Sequence, residues 1–344
     1  MNSMPVAITV VIPTLGTCPH LRGLLERLQR QTLVAASPAN STIEVLVIAN
    51  LPKQELRSLV SSMDRSSQVK FEYLETGKIG VNLARNKGLE RAKGDVILFL
   101  DDDAILDDLE GAGEHFLFRH IQKHIENPEA AAIGGPYRLV DRHSLWDEAY
   151  HFVASDWLLR NVRDGHHTNQ LLGGNLSVKR WTTTKGFKFD ETIAYGGAET
   201  GFCQRLTLAN ETLLYFQDLA IGHAPDLSKT AFCKKAYLQG AGARWRDRKL
   251  PASPFIHVNQ LRRNPSNSEI AAWVQLYKDC FEFGWSSDPF RDHLASNGQV
   301  KFNFFKFQIH RVRNLLLRTL PQRVRRQMRQ AYAATRSIWI SAKY

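Results

Sequence analysis

Two hydrophobic periods alternate along the first hundred residues. Ala7 to Ile12 (AITVVI) is a continuous, β-branched apolar run and reads as a buried parallel strand. Pro13-Thr14-Leu15-Gly16 ends it, and Leu21, Leu24, Leu25 and Leu28 then recur at helical spacing. Ile43 to Ala49 (IEVLVIA) predicts a second buried strand, Gln54 to Met63 a helix, and Val69 to Leu74 (VKFEYL) a third strand. Gly80 to Ala92 predicts a helix with Leu83, Ala84 and Leu89 inward. Val96 to Leu100 (VILFL) predicts a fourth buried strand, which runs straight into Asp101-Asp102-Asp103.

Beyond residue 104 the pattern loosens. Helices are predicted over His115 to Glu126, Thr200 to Ala209, Lys229 to Arg246 and Glu269 to Phe283. Ala130 to Leu139 holds a short strand with a Gly-Gly-Pro break, and Gly173 to Val178 reads as a turn entering a strand. Lys249 to Asn267, rich in Pro, Asn and Ser, reads as a linker. Strands alternating with helices imply an α/β fold with a mostly parallel sheet flanked by helices. Ligands bind such sheets at the carboxyl ends of the strands, so Pro13-Thr14, Asn50 and the triple Asp would face one crevice.

Charge divides the chain. It has 344 residues, with 45 Lys+Arg against 34 Asp+Glu, a formal charge of +11. His293 to Tyr344 carries eleven basic residues and no acidic one, so the first 292 residues are formally neutral. A basic tail on a neutral body argues against nucleic-acid binding as the main role. In the tail, Ile309, Val312, Leu316 and Leu320 follow helical spacing; Pro321 interrupts, and Val324, Met328 and Tyr332 resume it. Two readings stand for residues 300–344: basic amphipathic helices docking on an anionic membrane, or helices packing an apolar stripe on the body. The expected division is a catalytic unit over 1–248, a linker with a helical extension over 249–299, and the tail over 300–344.

Cys18, Cys203, Cys233 and Cys280 form no CxxC pair. No apolar run reaches the roughly 20 residues of a spanning helix, and the N-terminus lacks signal-peptide character. The expectation is a cytoplasmic protein, peripheral at the inner face of the plasma membrane if the tail docks there.

The candidate chemistry starts with Asp101-Asp102-Asp103. Three adjacent carboxylates at the end of an apolar strand repel one another, and a hard divalent cation would relieve this; the plain alternative is a solvated acidic turn. His223, in Ala-Ile-Gly-His-Ala, is either structural or a neutral imidazole completing a metal shell. Glu199 is either an acidic residue stabilised in a helix's first turn or a general base held there. Gly173-Gly174-Asn175 is a plain turn or a substrate-binding loop. Arg85 and Asn86 are solvated or face a pyrophosphate. No GxGxxG, GxxxxGK[ST], GxSxG or HExxH occurs.

The order of these pieces, over roughly residues 5 to 245, resembles glycosyltransferase family 2, the inverting nucleotide-sugar transferases of GT-A fold. VVIPTLG looks like the family's first strand. The run from Gly80 to Asp103 (GVNLARNKGLERAKGDVILFLDDD) is similar to its helix–strand–DxD block almost throughout. The resemblance implies a GT-A fold with a Rossmann-like nucleotide-binding half. It implies a nucleotide pocket lined by Pro13, Thr14 and Asn50, with Gly80, Arg85, Asp101 and Asp102 on the donor side. Asp101 and Asp103 would be the DxD pair, holding Mn²⁺ or Mg²⁺ with His223. Gly174 and Asn175 would sit in an acceptor-side loop, and Glu199 would be the catalytic base.

Two positions depart from the family pattern. Asn50 stands where Asp is usual, and Ala198-Glu199 stands where a Glu-Asp pair is usual. Gln239 and Arg244-Trp245 lack the QxxRW spacing of processive members. The implied reaction is inverting transfer from a nucleotide sugar, UDP-linked by preference, to a hydroxyl of a saccharide or lipid-linked acceptor, in cell-surface or extracellular polysaccharide synthesis. A sugar-nucleotide nucleotidyltransferase is the alternative enzyme, but Pro13-Thr14-Leu15-Gly16-Thr17 lacks its Lys- and Arg-bearing loop. A non-catalytic membrane or nucleic-acid binding module driven by the tail is the third reading.

Overall fold

The computed structural model describes residues 6–33, 41–63, 68–106, 115–140, 143–193, 197–250, 260–261, 263, 265–287 and 303–319. Four parallel strands form one half of a nine-stranded sheet: β1 (Val6–Thr14), β2 (Thr42–Ala49), β3 (Val69–Glu75) and β4 (Val96–Leu100), in the order β3-β2-β1-β4. Every residue of β2 and β4 is buried, as expected where helices cover both faces. The helices between these strands are α1 (Leu21–Gln29), α2 (Gln54–Ser62) and α3 (Val81–Arg91). Thr14, Asn50 and Asp101 stand at or just beyond the carboxyl ends of β1, β2 and β4.

The other half of the sheet is mixed rather than parallel. Its strands are β6 (Ala130–Gly134), β8 (Val162–Arg163), β9 (His167–Thr168), β10 (Asn175–Lys179) and β11 (Thr212–Tyr215). β10 lies between β4 and β6 and runs antiparallel to both. Because Asn175 pairs with Leu100, the turn before β10 lands beside Asp101. A second, three-stranded sheet contains β5 (Ala104–Ile105), β7 (Tyr137–Leu139) and β12 (Ile221–His223), with β12 in the middle. Its antiparallel register sets His223 opposite Ala104, and Ala224 N–H donates to the Asp103 carbonyl at 3.1 Å.

The remaining helices of the first unit are α4 (Phe116–Glu126), α5 (Leu145–Arg160), the short α6 (Trp181–Thr184), α7 (Ala198–Leu208), α8 (Lys229–Lys249) and α9 (Ser268–Ser287). The sequence pattern did not predict α5. Its Ser144 cap accepts from Asp147 N–H and its Asp147 answers the Ser144 N–H, a reciprocal box readable as Ser-x-x-Asp. α8 and α9 approach very closely: a Cβ on Gly240 would lie 1.9 Å from the Phe281 carbonyl, and one on Gly284 1.9 Å from that of Tyr237. The helical part of the expected 249–299 segment therefore belongs to the body. The chain divides into compact units of 1–297 and 298–344.

In the second unit, α10 (Phe304–Thr319) is a helix with Phe304, Phe305 and Ile309 exposed. Leu320, Pro321, Val324, Met328 and Tyr332, and most of the expected linker at 249–267, lie outside the described residues. No described helix is long and apolar enough to cross a membrane.

Candidate active site

Asp101, Asp103 and His223 converge. One ligand atom from each lies within 4.8 Å of the other two. β4 delivers the carboxylates and β12 the imidazole. His223 Nε2 is 3.4 Å from Asp103 Oδ2, and the Tyr137 ring stacks on the imidazole with centroids 4.2 Å apart. Burial holds the His223 pKa below its ordinary value, against the pull of Asp103, so the ring is neutral at pH 7 and keeps a lone pair. Asp103 Oδ1 is buried with no hydrogen-bond partner. Two hard oxygens and a neutral nitrogen, one oxygen orphaned, form a donor set that fits Mn²⁺ or Mg²⁺.

Asp102 points elsewhere. Its Oδ2 accepts from the Thr14 hydroxyl at 2.5 Å, tying the end of β4 to that of β1. Burial pushes its pKa up to about 7; the Thr14 bond opposes this, and the charges of Asp103 and Asp101 add to it. Cys18 Sγ donates to the Asp102 carbonyl at 3.2 Å. Burial, helped by the Asp102 charge, raises that thiol to about 12, so it remains a donor.

Arg85, buried on α3, connects two sites. Its Nη2 donates to Asp101 Oδ1 at 2.9 Å, and its Nη1 is 3.9 Å from Glu199 Oε2. Glu199 stands in the first turn of α7, which Gly197 opens with a left-handed φ of 69°. The Gly173-Gly174 turn passes close to these groups. A Cβ on Gly173 would lie 2.9 Å from Arg85 Nη2, and one on Gly174 would lie 2.4 Å from Asp101 Oδ2. The Tyr137 hydroxyl accepts from Gly174 N–H at 2.9 Å and reaches Asp101 Oδ2 at 3.4 Å. Burial raises Tyr137 far above its ordinary value, so its hydroxyl stays a donor.

Other sequence candidates sit differently. Asn175 is fully buried on β10; its amide donates to the Leu219 carbonyl at 2.7 Å and approaches that of Pro136 at 3.5 Å. Its amide nitrogen anchors the turn, and its Oδ1 is buried without a hydrogen-bond partner. Asn86 is likewise turned inward, donating to the Phe189 carbonyl at 3.0 Å and accepting from its N–H at 2.8 Å. Pro13 is buried within β1, in register with Ile48. Asn50 donates to the Gly80 carbonyl at 3.1 Å, just before α3. An aspartate could not make that bond, which gives the departure at Asn50 a structural use.

Sequence reasoning missed Tyr137 and Cys18. The Gly-Gly-Pro break before Tyr137 was visible, but only the second sheet carries its ring to His223.

The model for "Glycosyl transferase family 2" matches residues 9–190, from β1 through the DxD strand to the segment before Glu199. The chain belongs to this family. Membership favours glycosyl transfer over the nucleotidyltransferase reading. Among curated relatives, this family 2 chain is 24% identical over 208 residues to the succinoglycan biosynthesis protein ExoM of Rhizobium meliloti (strain 1021), covering 58% of this chain and 63% of ExoM. It is 39% identical over 69 residues to an uncharacterized protein of Haemophilus influenzae, covering 20% of this chain and 37% of that protein. The matches thus span less than two thirds of either relative. Among solved structures it is similar to the mannosyltransferase PcManGT from Pyrobaculum calidifontis, determined with GDP-Man and Mn²⁺. The TM-score is 0.54 at 15% identity, over 98% of this chain and 88% of that one, a likeness of fold.

Proposed function

We propose that this glycosyltransferase moves a sugar, with inversion, from a nucleoside diphosphate sugar to a hydroxyl of a growing saccharide or a lipid-linked acceptor. The observation that carries the reading is the convergence of Asp101, Asp103 and His223, with an unpartnered carboxylate oxygen on Asp103. These three residues would hold Mn²⁺ or Mg²⁺, which when bound supplies charge neutralisation for the departing diphosphate. The PcManGT complex with GDP-Man and Mn²⁺ supports the same pairing of donor and metal. The name of ExoM supports a role in polysaccharide synthesis.

The chain's own residues supply the rest. The ends of β1 and β2, with Thr14, Asn50 and the Gly80 turn, frame the nucleotide side. Arg85 aims its guanidinium at the diphosphate position from beside Asp101. Glu199 accepts the proton of the acceptor hydroxyl as that oxygen bonds to the anomeric carbon. The carbon–oxygen bond to the diphosphate breaks, and the diphosphate leaves with the electron pair. Gly174, with no side chain, lets the acceptor-side turn pass against Asp101.

The test is thermal denaturation of the full chain with Mn²⁺ and a panel of nucleoside diphosphates led by UDP and GDP. Stabilisation that needs both metal and nucleotide, and that Asp103→Ala removes, supports the reading. A panel without effect in the presence of Mn²⁺ overturns it.

A further inference from the structure

A cavity of about 60 Å³ lies among α5, α7, α8 and α9, and Glu199 forms part of its wall. At about 10–15 Å³ for each water-sized occupant, its inner space suits a group of a few heavy atoms. Trp157, Leu172 and Phe281 give it apolar walls. Two lining residues are polar and pointed in chemistry. Gln239 accepts from the Tyr277 hydroxyl through Oε1 at 2.5 Å, which leaves its amide N–H groups as donors.

Arg246, the second, is 5% exposed. Its Nε is buried without a hydrogen-bond partner. Among the described residues its nearest anionic contact is Asp247, adjacent in sequence and itself partly exposed, at 3.4 Å from Nη2. A guanidinium is always charged and has five donors in a rigid fork. Asp247 and, through space, Glu199 offset its charge; the buried Nε remains a donor without a partner, and a buried donor of a charged group is best met by an oxyanion. Small cavity, buried cation and adjacent base together describe a recess for one substituent of a molecule that reacts at Glu199.

We infer that this cavity is an acceptor subsite, and that it seats an oxyanion carried by the acceptor sugar, a carboxylate or a phosphate, against Arg246. The inference rests on the glycosyl-transfer reading with Glu199 on the acceptor side. Arg85 then meets the donor's diphosphate on one side of Glu199, and Arg246 meets the acceptor's anion on the other. The acceptor hydroxyl is placed between them. The apolar walls lower the local dielectric around the anion's seat, which strengthens its pairing with Arg246.

The experiment is calorimetric titration of the full chain, with Mn²⁺ and whichever of UDP or GDP stabilises it. The probes are methyl glycosides in gluco, galacto and manno configuration, their uronic-acid forms and their 6-phosphates. Inorganic phosphate and acetate are titrated alone. The expected result is that one anionic series binds at least ten-fold more tightly than its neutral parent, and which series does so identifies the oxyanion. Arg246→Gln removes that preference and Arg246→Lys keeps part of it. The inference is overturned if neutral sugars bind as well as both anionic series, if neither anionic series binds, or if Arg246→Gln keeps the preference. The wild-type comparison stands even if a variant fails to fold. Nucleotide binding with Mn²⁺, measured first, reports on the parent reading separately. If it succeeds while the sugars show no discrimination, only the subsite fails. If it fails while the anionic preference survives, the donor reading fails.

Discussion

Arg85 Nη1 lies 3.9 Å from Glu199 Oε2. The same guanidinium donates to Asp101 Oδ1 at 2.9 Å, so one cation separates the candidate base from the candidate metal ligand. Without it, two carboxylates would share the pocket and repel one another. Arg85→Gln is expected to lower kcat/KM by about 100-fold, the usual effect of losing one aimed donor. Full activity in this variant would remove Arg85 from the mechanism.

Glu199→Gln keeps the size of the side chain and removes the base. Transfer should fall to background while nucleotide binding with Mn²⁺ and the melting temperature stay near wild type. A variant that still transfers sugar at the wild-type rate would show that the proton goes elsewhere.

Gly174→Ala places a methyl 2.4 Å from Asp101 Oδ2 and 2.5 Å from the Tyr137 hydroxyl. Asp101 and Tyr137 must then move, and overpacking of this kind costs about 1–3 kcal/mol. The expected outcome is weaker Mn²⁺ affinity by calorimetry together with a lower urea midpoint. Gly77→Ala is a poor control, since its φ of 72° adds backbone strain. Gly23→Ala, within α1, meets nothing within 4 Å and should leave Mn²⁺ affinity unchanged and not lower the urea midpoint, since Ala favours the helix.

His120 Nδ1 and His124 Nε2 each lie 2.9 Å from the Ser177 hydroxyl, beneath β10. Burial depresses both pKa values to about 3, from an ordinary 6.5. The unfolded chain therefore takes up protons below pH 6.5 that the folded chain refuses. Stability should fall as pH drops from 6.5 towards 3, by up to about 1.4 kcal/mol per pH unit for each histidine. Urea denaturation at successive pH values measures the slope. The His120→Gln, His124→Gln double variant should flatten it; an equal slope in both proteins refutes the assignment.

The two readings of residues 300–344, docking on an anionic surface or packing on the body, make different predictions. Under docking, liposomes containing anionic lipid should sediment the full chain at low salt, and a chain ending at 299 should remain in the supernatant. Equal sedimentation of the two would end the docking idea.

The first four strands and their helices were legible because each carries its own signal: apolar runs of strand length, then leucines at helical spacing. The DxD strand was legible for the same reason, since VILFL and the three aspartates are contiguous. α5 was not legible. Its buried side chains include Asp147, Tyr150, Val153, Asp156 and Leu158, which spread around the helix instead of forming one stripe. A helix covered on several sides loses the periodicity by which amphipathic helices are read.

The sequence by itself determined the α/β class, the family-type block from Gly80 to Asp103, and the neutral body with its basic tail. Only the tertiary structure decided what meets those aspartates. His223 reaches Asp103 through the pairing of β12 with β5. The Gly173-Gly174 turn reaches Asp101 through the antiparallel insertion of β10 beside β4. Arg246 reaches the cavity beside Glu199 through the packing of α8. Periodicity reports which face of an element is buried. Strand register and helix packing decide which distant residue lies opposite, and these are settled by the whole core at once.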